Sequence, residues 1–354
     1  MKPEAVLRGA PGLSVACMAA GGEARWDEFV RSCPQATFFH LSPWAGILEE
    51  VFGFRTYFLY AQRANRLEGV LPLALVESWL TGRALVSLPL CIEAGVAAIN
   101  AEAHAALLAE ASLIARQLKV RHLEVRSRQQ QAEGWPTQDL YVRFEKPILD
   151  DDEANMAAIP RKQRAMVRKG VSAGLRSQVD ADLAGFYALY ADNMRRHGSP
   201  AHSRGFFSRL LEAFGEDVQI LTVRSPRGEA LSSVLSFYFR DTVLPYYAGD
   251  VACARDFHAN DFKYWALMCE ARSRGCKVFD YGRSKQGSGS FAFKKNWGCE
   301  PQPLHYQYQF LAGQSEVPQH NPNNPKYRLL IATWRRLPLP LTTILGPMVA
   351  KHFV

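Results

Sequence analysis

Two adjacent lysines near the C-terminal end of the chain lie in the segment whose residue types come closest to a reactive site. The block Val278–Arg283 has the composition of a buried strand, and a small-residue loop then leads to Lys294 and Lys295 between aromatic residues. Lysines in such a position can hold positive charge beside a bound, negatively charged reactant. We therefore take Lys294, Lys295 and Asp280 as candidate catalytic residues.

Three further residues are candidates for contacting a substrate. Tyr281 and Arg283 belong to the same strand-like block, and Tyr247 ends the predicted strand Thr242–Tyr247. The plain alternative is that the two lysines form a solvated rim around an aromatic core, since most lysines are exposed for no special reason. The sequence of this block leaves both interpretations open.

Two phosphate-binding motifs can be excluded in this block. Gly287, Gly289 and Ala292 have the spacing of a dinucleotide-binding fingerprint, but that motif needs an apolar strand directly before it and a long helix after it. Polar residues precede it here, and Trp297-Gly298 interrupts the continuation. A P-loop is also excluded, because Lys294 has no glycine before it and no serine or threonine after it.

A basic segment in the middle of the chain is the second candidate site. Five of the nine residues from Arg161 to Lys169 are basic, and on a helix Arg161, Arg164 and Arg168 form one ridge. Such runs are usually solvated faces. The density, and a position where two halves of the chain should meet, favour a substrate-binding site for an anion.

Composition limits the class of protein. The chain has 354 residues, of which 48% are hydrophobic, and a formal net charge of +8, which favours an anionic partner. Its seven cysteines are scattered and its histidines dispersed, so neither a disulfide framework nor a metal site is expected, and the chain is expected in the reducing cytoplasm. No recognised DNA-binding motif accompanies the charge.

The order of predicted elements is repeated in the two halves. Each half has helices, a small antiparallel meander, a further helix and a crossover strand, which predicts two copies of one α+β unit. This order is typical of GNAT acyltransferases. We therefore predict an α+β fold with a tandem pair of GNAT-like domains, at residues 1–155 and 156–312, the second carrying the acyl-transfer site, followed by a basic and apolar tail at residues 313–354.

The tail combines basic, aromatic and apolar residues. Trp334-Arg335-Arg336 precedes an apolar stretch that Pro338, Pro340 and Pro347 interrupt, and no run in the chain is long enough to span a bilayer. The pattern suits contact with an anionic membrane surface, and it equally suits a tail packed on the body of the protein.

Several motifs together resemble the FemAB family of tandem GNAT-fold aminoacyl transferases. They are the basic helix from Pro160 to Lys169, the segment Asn193–Pro200 with Phe206-Phe207, the strand Asp280–Arg283 and the segment Phe293–Gly298. The segments Gly69–Leu73, Ser87–Pro89 and Trp334–Leu339 resemble, more narrowly, the FemAB-like proteins associated with exosortase and PEP-CTERM systems, found beside exopolysaccharide genes.

The resemblance implies N-acyl transfer to an amine of an envelope or exopolysaccharide precursor, at the inner face of the cytoplasmic membrane. It implies that Lys294 stabilises the oxyanion, with Lys295 as the fallback, and that no cofactor is needed. The donor stays open between an aminoacyl-tRNA and acyl-CoA. Acyl-CoA is disfavoured because the connection Gly249–Ala259 contains one glycine, and the coiled-coil arm that tRNA-using members can carry has no counterpart as a long charged heptad segment in this sequence. A CoA-dependent N-acetyltransferase and a non-catalytic adaptor in exopolysaccharide assembly are the competing interpretations.

Overall fold

The computed structural model describes residues 7–8, 12–78, 82–311 and 325–352. The chain forms two compact units. The first contains residues 1–141, 303–319 and 351–354, and the second contains residues 142–302 and 320–350.

The first unit is a mixed sheet covered by helices. Strands β2 to β5 pair antiparallel in sequence order, and β5 then pairs parallel with β7 across the crossover that contains α3. Apolar residues of α3, among them Leu107 and Ile114, belong to the core formed with these strands. The elements are β1 (Leu7–Arg8), β2 (Leu13–Cys17), α1 (Glu23–Ser32), α2 (Pro43–Phe52), β3 (Arg55–Arg63), β4 (Arg66–Ser78), β5 (Gly82–Val86), β6 (Ala97–Ala98), α3 (Ala101–Gln117), β7 (His122–Ser127) and β8 (Thr137–Gln138).

The second unit repeats this plan with a sheet in the order β10-β11-β12-β13-β14-β9-β15. Its antiparallel meander runs from β10 to β13, and the crossover through α8 makes β14 parallel to β13. The elements are β9 (Tyr141–Pro147), α4 (Asp152–Ala158), α5 (Arg161–Ser172), β10 (Arg176–Asp180), α6 (Leu183–His197), α7 (Arg204–Phe214), β11 (Val218–Arg224), β12 (Ala230–Phe239), β13 (Thr242–Asp250), α8 (Ala259–Ser273), β14 (Val278–Lys285), α9 (Gly289–Asn296) and β15 (Pro301–Pro303).

The last elements divide between the two units. Strand β16 (His305–Phe310) pairs antiparallel with β7 and so completes the first sheet. Helices α10 (Pro325–Arg336) and α11 (Leu339–Ala350) belong to the second unit. Among the described residues, no helix combines the length and the apolar character that crossing a membrane requires.

Local sequence signals explain where helix α6 begins and ends. The carboxylate of Asp182 accepts a hydrogen bond from the Gly185 N–H at 2.8 Å, which caps the first turn. The helix ends at Gly198, whose φ of +77° is the left-handed conformation that favours glycine, after Arg195, Arg196 and His197 in the last turn. Helix α6 therefore spans Leu183–His197, between a capping aspartate and a glycine.

A buried ion pair joins strands β9 and β14 in the second sheet. Nη2 of Arg143 lies 2.7 Å from Oδ2 of Asp280, and both side chains are 3% exposed. Arg143 also contacts the half-buried Glu145 on its own strand. Removing one partner of a buried pair leaves the other as an uncompensated charge, which is far more costly than losing an exposed pair.

The Asp280→Asn variant should therefore lose about 3 kcal/mol of unfolding free energy, since Arg143 would keep only Glu145 as its counter-charge. Urea denaturation followed by circular dichroism measures this loss. Asp256→Asn, at an exposed position of the same unit, is the matched control and should change stability by less than about 0.5 kcal/mol. Equal stability of the two variants would show that the ion pair does not anchor β14.

Candidate functional site

Strands β13 and β14 begin side by side and then part. Their parallel pairing covers only Thr242 with Val278 and Val243 with Phe279 in the described chain. Pro245 follows in β13, where it has no N–H to donate, and the register with β12 shifts between Leu235 and Ser236. Beyond this point β14 has β9 as its neighbour on the other side. The two strands thus leave a gap between them, and Asp280, Tyr281 and Arg283 follow on β14.

Asp280 shapes the backbone of β14 next to this gap. Its Oδ1 accepts a hydrogen bond from the Gly282 N–H at 2.8 Å while Oδ2 is held by Arg143. Gly282 has a φ of +69°, a conformation that a residue with a side chain rarely adopts. Asp280, predicted as a catalytic residue, is thus placed where it positions the carbonyls that follow.

Lys294 lies against those carbonyls. Ser288 caps α9 by accepting from the Phe291 N–H, and this short helix carries Lys294 on its inner side, where it is 5% exposed. Its Nζ donates to the carbonyl oxygens of Gly282 and Arg283, at 2.9 Å in each case. Nζ also lies 5.7 Å from the centre of the Phe144 ring, within cation–π range.

The surroundings change the basicity of Lys294. Burial lowers the pKa of its ammonium group to about 8, and the nearby Asp280 carboxylate opposes this effect. A buried lysine with a lowered pKa beside a gap in the sheet is typical of functional sites. Lys295, in contrast, is exposed, so the two adjacent lysines have different environments.

The remaining predicted residues of the block lie in two environments. Arg283 is exposed. Tyr281 is buried, its ring is stacked on Tyr264 with centroids 5.5 Å apart, and burial raises the pKa of its hydroxyl well above the usual value. That hydroxyl has no hydrogen-bond partner among the residues that the structure describes. Tyr247 lies elsewhere, in an aromatic cluster where its ring meets Phe207 edge-on at 5.2 Å.

The basic segment forms helix α5, as the sequence predicts, and one side of it is anchored. Val167 and Gly170 are buried, and a Cβ added at Gly170 would lie 2.8 Å from Cβ of Phe262, so α5 packs closely on α8. The side chain of Gln163 also hydrogen-bonds to Asp261. This anchoring leaves the arginine ridge accessible, with Arg161 and Arg168 exposed and Arg164 half-buried.

Two open clefts lie along this ridge. The first, of about 790 Å³, is lined by residues of α5 and its C-terminal end that include Arg161, Arg164, Arg168 and Lys169. The second, of about 350 Å³, is lined by Arg164, Arg168 and the half-buried ring of Trp265, and also by the carboxylates of Asp152 and Glu153 from α4. The sequence analysis did not single out Trp265 as a site residue.

The end of strand β13, which leads towards α8, is packed closely against other parts of the second unit. A Cβ added at Gly249 would lie 2.3 Å from the backbone N of Tyr190, so this glycine allows α6 to approach the sheet. Nζ of the buried Lys263 lies 2.9 Å from Oδ1 of Asp250. Burial alone would raise the pKa of Asp250, but the Lys263 ammonium and the Ser232 hydroxyl together hold this pKa below its usual value. The end of β13 therefore carries a charged carboxylate.

Two buried cations of this unit were missed by the sequence analysis. Arg143 pairs with Asp280 across 137 positions of the chain, and Lys146 donates to the carbonyls of Ala158 and Trp297 at 2.8 and 3.1 Å. The alternation of apolar and charged residues in Val142-Arg143-Phe144-Glu145 is a signal for a strand, but it does not identify the partners of the buried charges. Within the described ranges, no group of three or more His, Cys, Asp or Glu side chains could hold a metal ion.

Comparisons with known proteins agree with this geometry. Residues 156–295 match the family model described as an acetyltransferase (GNAT) domain. No curated protein matches the chain. The crystal structure of FemX is similar, with a TM-score of 0.65 and 17% identity, over 90% of this chain and 99% of that one.

Two other solved structures share the fold. A tandem GNAT protein from the clavulanic acid biosynthesis pathway has a TM-score of 0.52 and 12% identity, over 86% of this chain and 100% of its own. The C-terminal domain of a putative lysylphosphatidylglycerol synthetase from Agrobacterium fabrum has a TM-score of 0.57 and 13% identity, over 83% of this chain and 93% of its own. At these identities the likeness concerns the fold.

The predicted α+β fold with a tandem pair of GNAT-like domains is confirmed by these comparisons. The likeness to FemX concerns the fold, and membership of the FemAB family and of its exosortase-associated subgroup stays a prediction. Residues 156–295 thus form a GNAT domain, and Lys294 lies at the end of it.

Proposed function

We propose that the protein is an N-acyl or aminoacyl transferase of the FemAB type that acts on a cell-envelope or exopolysaccharide precursor. The observation that carries this proposal is the buried Lys294, held by two backbone carbonyls beside the gap between β13 and β14. FemX and the tandem GNAT protein lend the proposal support at the level of the fold.

The proposed reaction forms an amide from an amine and an activated ester. The amine nitrogen attacks the ester carbonyl carbon, a C–N bond forms, and the carbonyl oxygen becomes an oxyanion. When the C–O bond to the leaving hydroxyl breaks, that oxygen takes up the proton which the amine has lost. The carbonyl oxygen therefore carries most of the negative charge that the enzyme must stabilise.

Lys294 is suited to this task in its protonated form. An ammonium group has three N–H donors, and Gly282 and Arg283 accept from two of them, which leaves one to point at an oxyanion. In a buried site such a donor interacts more strongly with charge than it would in water. Asp280 acts through the backbone that it holds, as a positioning residue.

The charge around helix α8 supports an aminoacyl-tRNA over acyl-CoA as the donor. A helix N-terminus binds a pyrophosphate when its N–H groups are open and no anion competes. Here Asp261 lies in the first turn of α8, and the Asp250 carboxylate ends the preceding strand. The Asp261 carboxylate would oppose the pyrophosphate of CoA, whereas Asp250 is paired with the buried Lys263 and adds little net charge.

The arginine ridge of α5 supplies the corresponding site for a phosphate-bearing substrate. Arg164 and Arg168 line both clefts, and the ring of Trp265 offers a flat apolar surface in the second one. Guanidinium groups bind phosphate oxygens in pairs, and an aromatic ring can stack on a nucleobase. This arrangement suits a ligand that combines a phosphate with a planar ring.

Lys294→Met keeps the length of the side chain and deletes its charge, so turnover should fall by about 10²–10³-fold while the fold is retained. Lys295→Met, at the exposed neighbouring position, is the matched control and should cost far less. The assay is mass spectrometry of the exopolysaccharide and its lipid-linked precursors, in cells that lack the protein and are complemented with each variant.

Equal products from the Lys294→Met and wild-type proteins would remove this residue from the mechanism. Products that vanish only when the whole protein is removed, and survive in both lysine variants, would favour the non-catalytic adaptor. Transfer of label from acetyl-CoA to an amine by purified protein would favour the CoA-dependent N-acetyltransferase and contradict the proposed donor.

Changing Arg164 and Arg168 together to Gln should raise the KM for the phosphate-bearing substrate about tenfold and weaken its salt dependence, because charge-assisted contacts are lost. Initial rates at low and high salt measure both effects. Lys162→Gln removes a charge from the same helix outside both clefts and should leave KM unchanged. If the double variant behaved like this control, the ridge would be an ordinary solvated face.

A further inference from the structure

Exposed large apolar side chains are concentrated on the last two helices. Of the nine such residues in the described part of the chain, five lie on α10 and α11, and the other four are spread over the rest. We call these five the tail face. Their exposed fractions are 70% for Leu329, 61% for Leu330, 41% for Leu341, 67% for Ile344 and 63% for Met348.

On helix α11 the large apolar side chains face outward and small residues face the protein, which is the opposite of the usual arrangement on a soluble domain. The residues that it buries are small, and include Thr342, Gly346 and Ala350. A Cβ added at Gly346 would lie 2.8 Å from the carbonyl oxygen of Ala201, so the helix backbone packs directly on the second unit. Leu341, Ile344 and Met348 follow at i, i+3 and i+7, and so share the outward face.

Helix α10 is fixed to the end of α6 in a way that leaves Leu329 and Leu330 outward. A Cβ added at Gly198 would lie 2.5 Å from Cγ2 of Ile331, and Nη2 of Arg335 donates to the His197 carbonyl at 3.3 Å. Nη1 of Arg195 donates in turn to the Arg335 carbonyl at 3.1 Å. Leu329 and Leu330 are on the exposed side, and Arg336 is exposed as well.

The charges of this segment select the kind of partner. Residues 325–350 contain four basic residues, Lys326, Arg328, Arg335 and Arg336, and no acidic one, and α11 has no ionisable side chain. A protein partner would normally be matched by charges of both signs at the rim of the interface. A flank whose charges are all basic, beside an uncharged and largely apolar helix, is complementary to anionic lipid headgroups above acyl chains.

We propose that the tail face is a docking surface for an anionic lipid bilayer, on which α10 and α11 lie in the plane of the interface. Each helix has 12 residues, too few to span the hydrocarbon core. Leu341, Ile344 and Met348 enter the acyl-chain boundary, and the arginines remain at the headgroups. This inference goes beyond the proposed acyl transfer and does not depend on it.

Flotation of the purified full-length protein with lipid vesicles tests this surface. The wild type should float with vesicles of phosphatidylcholine and phosphatidylglycerol, and less with phosphatidylcholine alone. Ile344→Glu with Met348→Glu should reduce binding at least about tenfold, because two apolar side chains no longer enter the lipid. Arg336→Gln should reduce binding to the anionic vesicles about fivefold.

Ile99→Glu with Val179→Glu is the matched control, since both residues are exposed apolar side chains outside the tail face, and this variant should float like the wild type. Thermal melting shows that each variant is folded. The proposal is overturned if wild-type protein stays with the dense fraction in both vesicle types, or if the Ile344 and Met348 variant floats equally well. It is also overturned if light scattering finds a dimer that this variant dissociates, which would assign the tail face to a second copy.

Discussion

The ion pair between Arg143 and Asp280 is the interaction on which the candidate site depends. One oxygen of Asp280 is held by Arg143, and the other accepts from the Gly282 N–H, where the backbone adopts a positive φ. That turn places the carbonyls of Gly282 and Arg283 at Nζ of Lys294. A strand, a buried charge pair and a short helix therefore determine together where one ammonium group lies.

Burying Lys294 is unfavourable, and the site offsets this cost only in part. The two carbonyls and the face of Phe144 stabilise the ammonium group, yet burial still lowers its pKa to about 8. The protonated form thus predominates near pH 7, although it is poorly solvated. Such a charge gains more from a developing oxyanion than an exposed lysine does, because water does not screen it. This difference separates Lys294 from Lys295.

The fold could be predicted from the sequence because the signals for helix ends agreed with the repeated order of helices and strands. Asp182 and Gly198 mark the ends of α6, and the order of helices, meander and crossover strand appears in both units. The candidate site was only partly predictable. Which of the adjacent lysines is buried depends on how α9 is capped by Ser288 and docked on β14, and the Arg143–Asp280 pair joins residues far apart in the chain. The spacing of residues along the sequence predicts neither the burial of Lys294 nor the Arg143–Asp280 pair.

The titration of Lys294 tests the account most directly, and it needs no substrate. Lysines labelled with 13C next to the ammonium group can be followed by NMR, and the signal of Lys294 is the one absent from the Lys294→Met variant. The account predicts that this signal titrates near pH 8, below the usual 10.5, and at a lower pH in Asp280→Asn, where a stabilising negative charge is lost. Titration of every lysine signal above about pH 10 would contradict it.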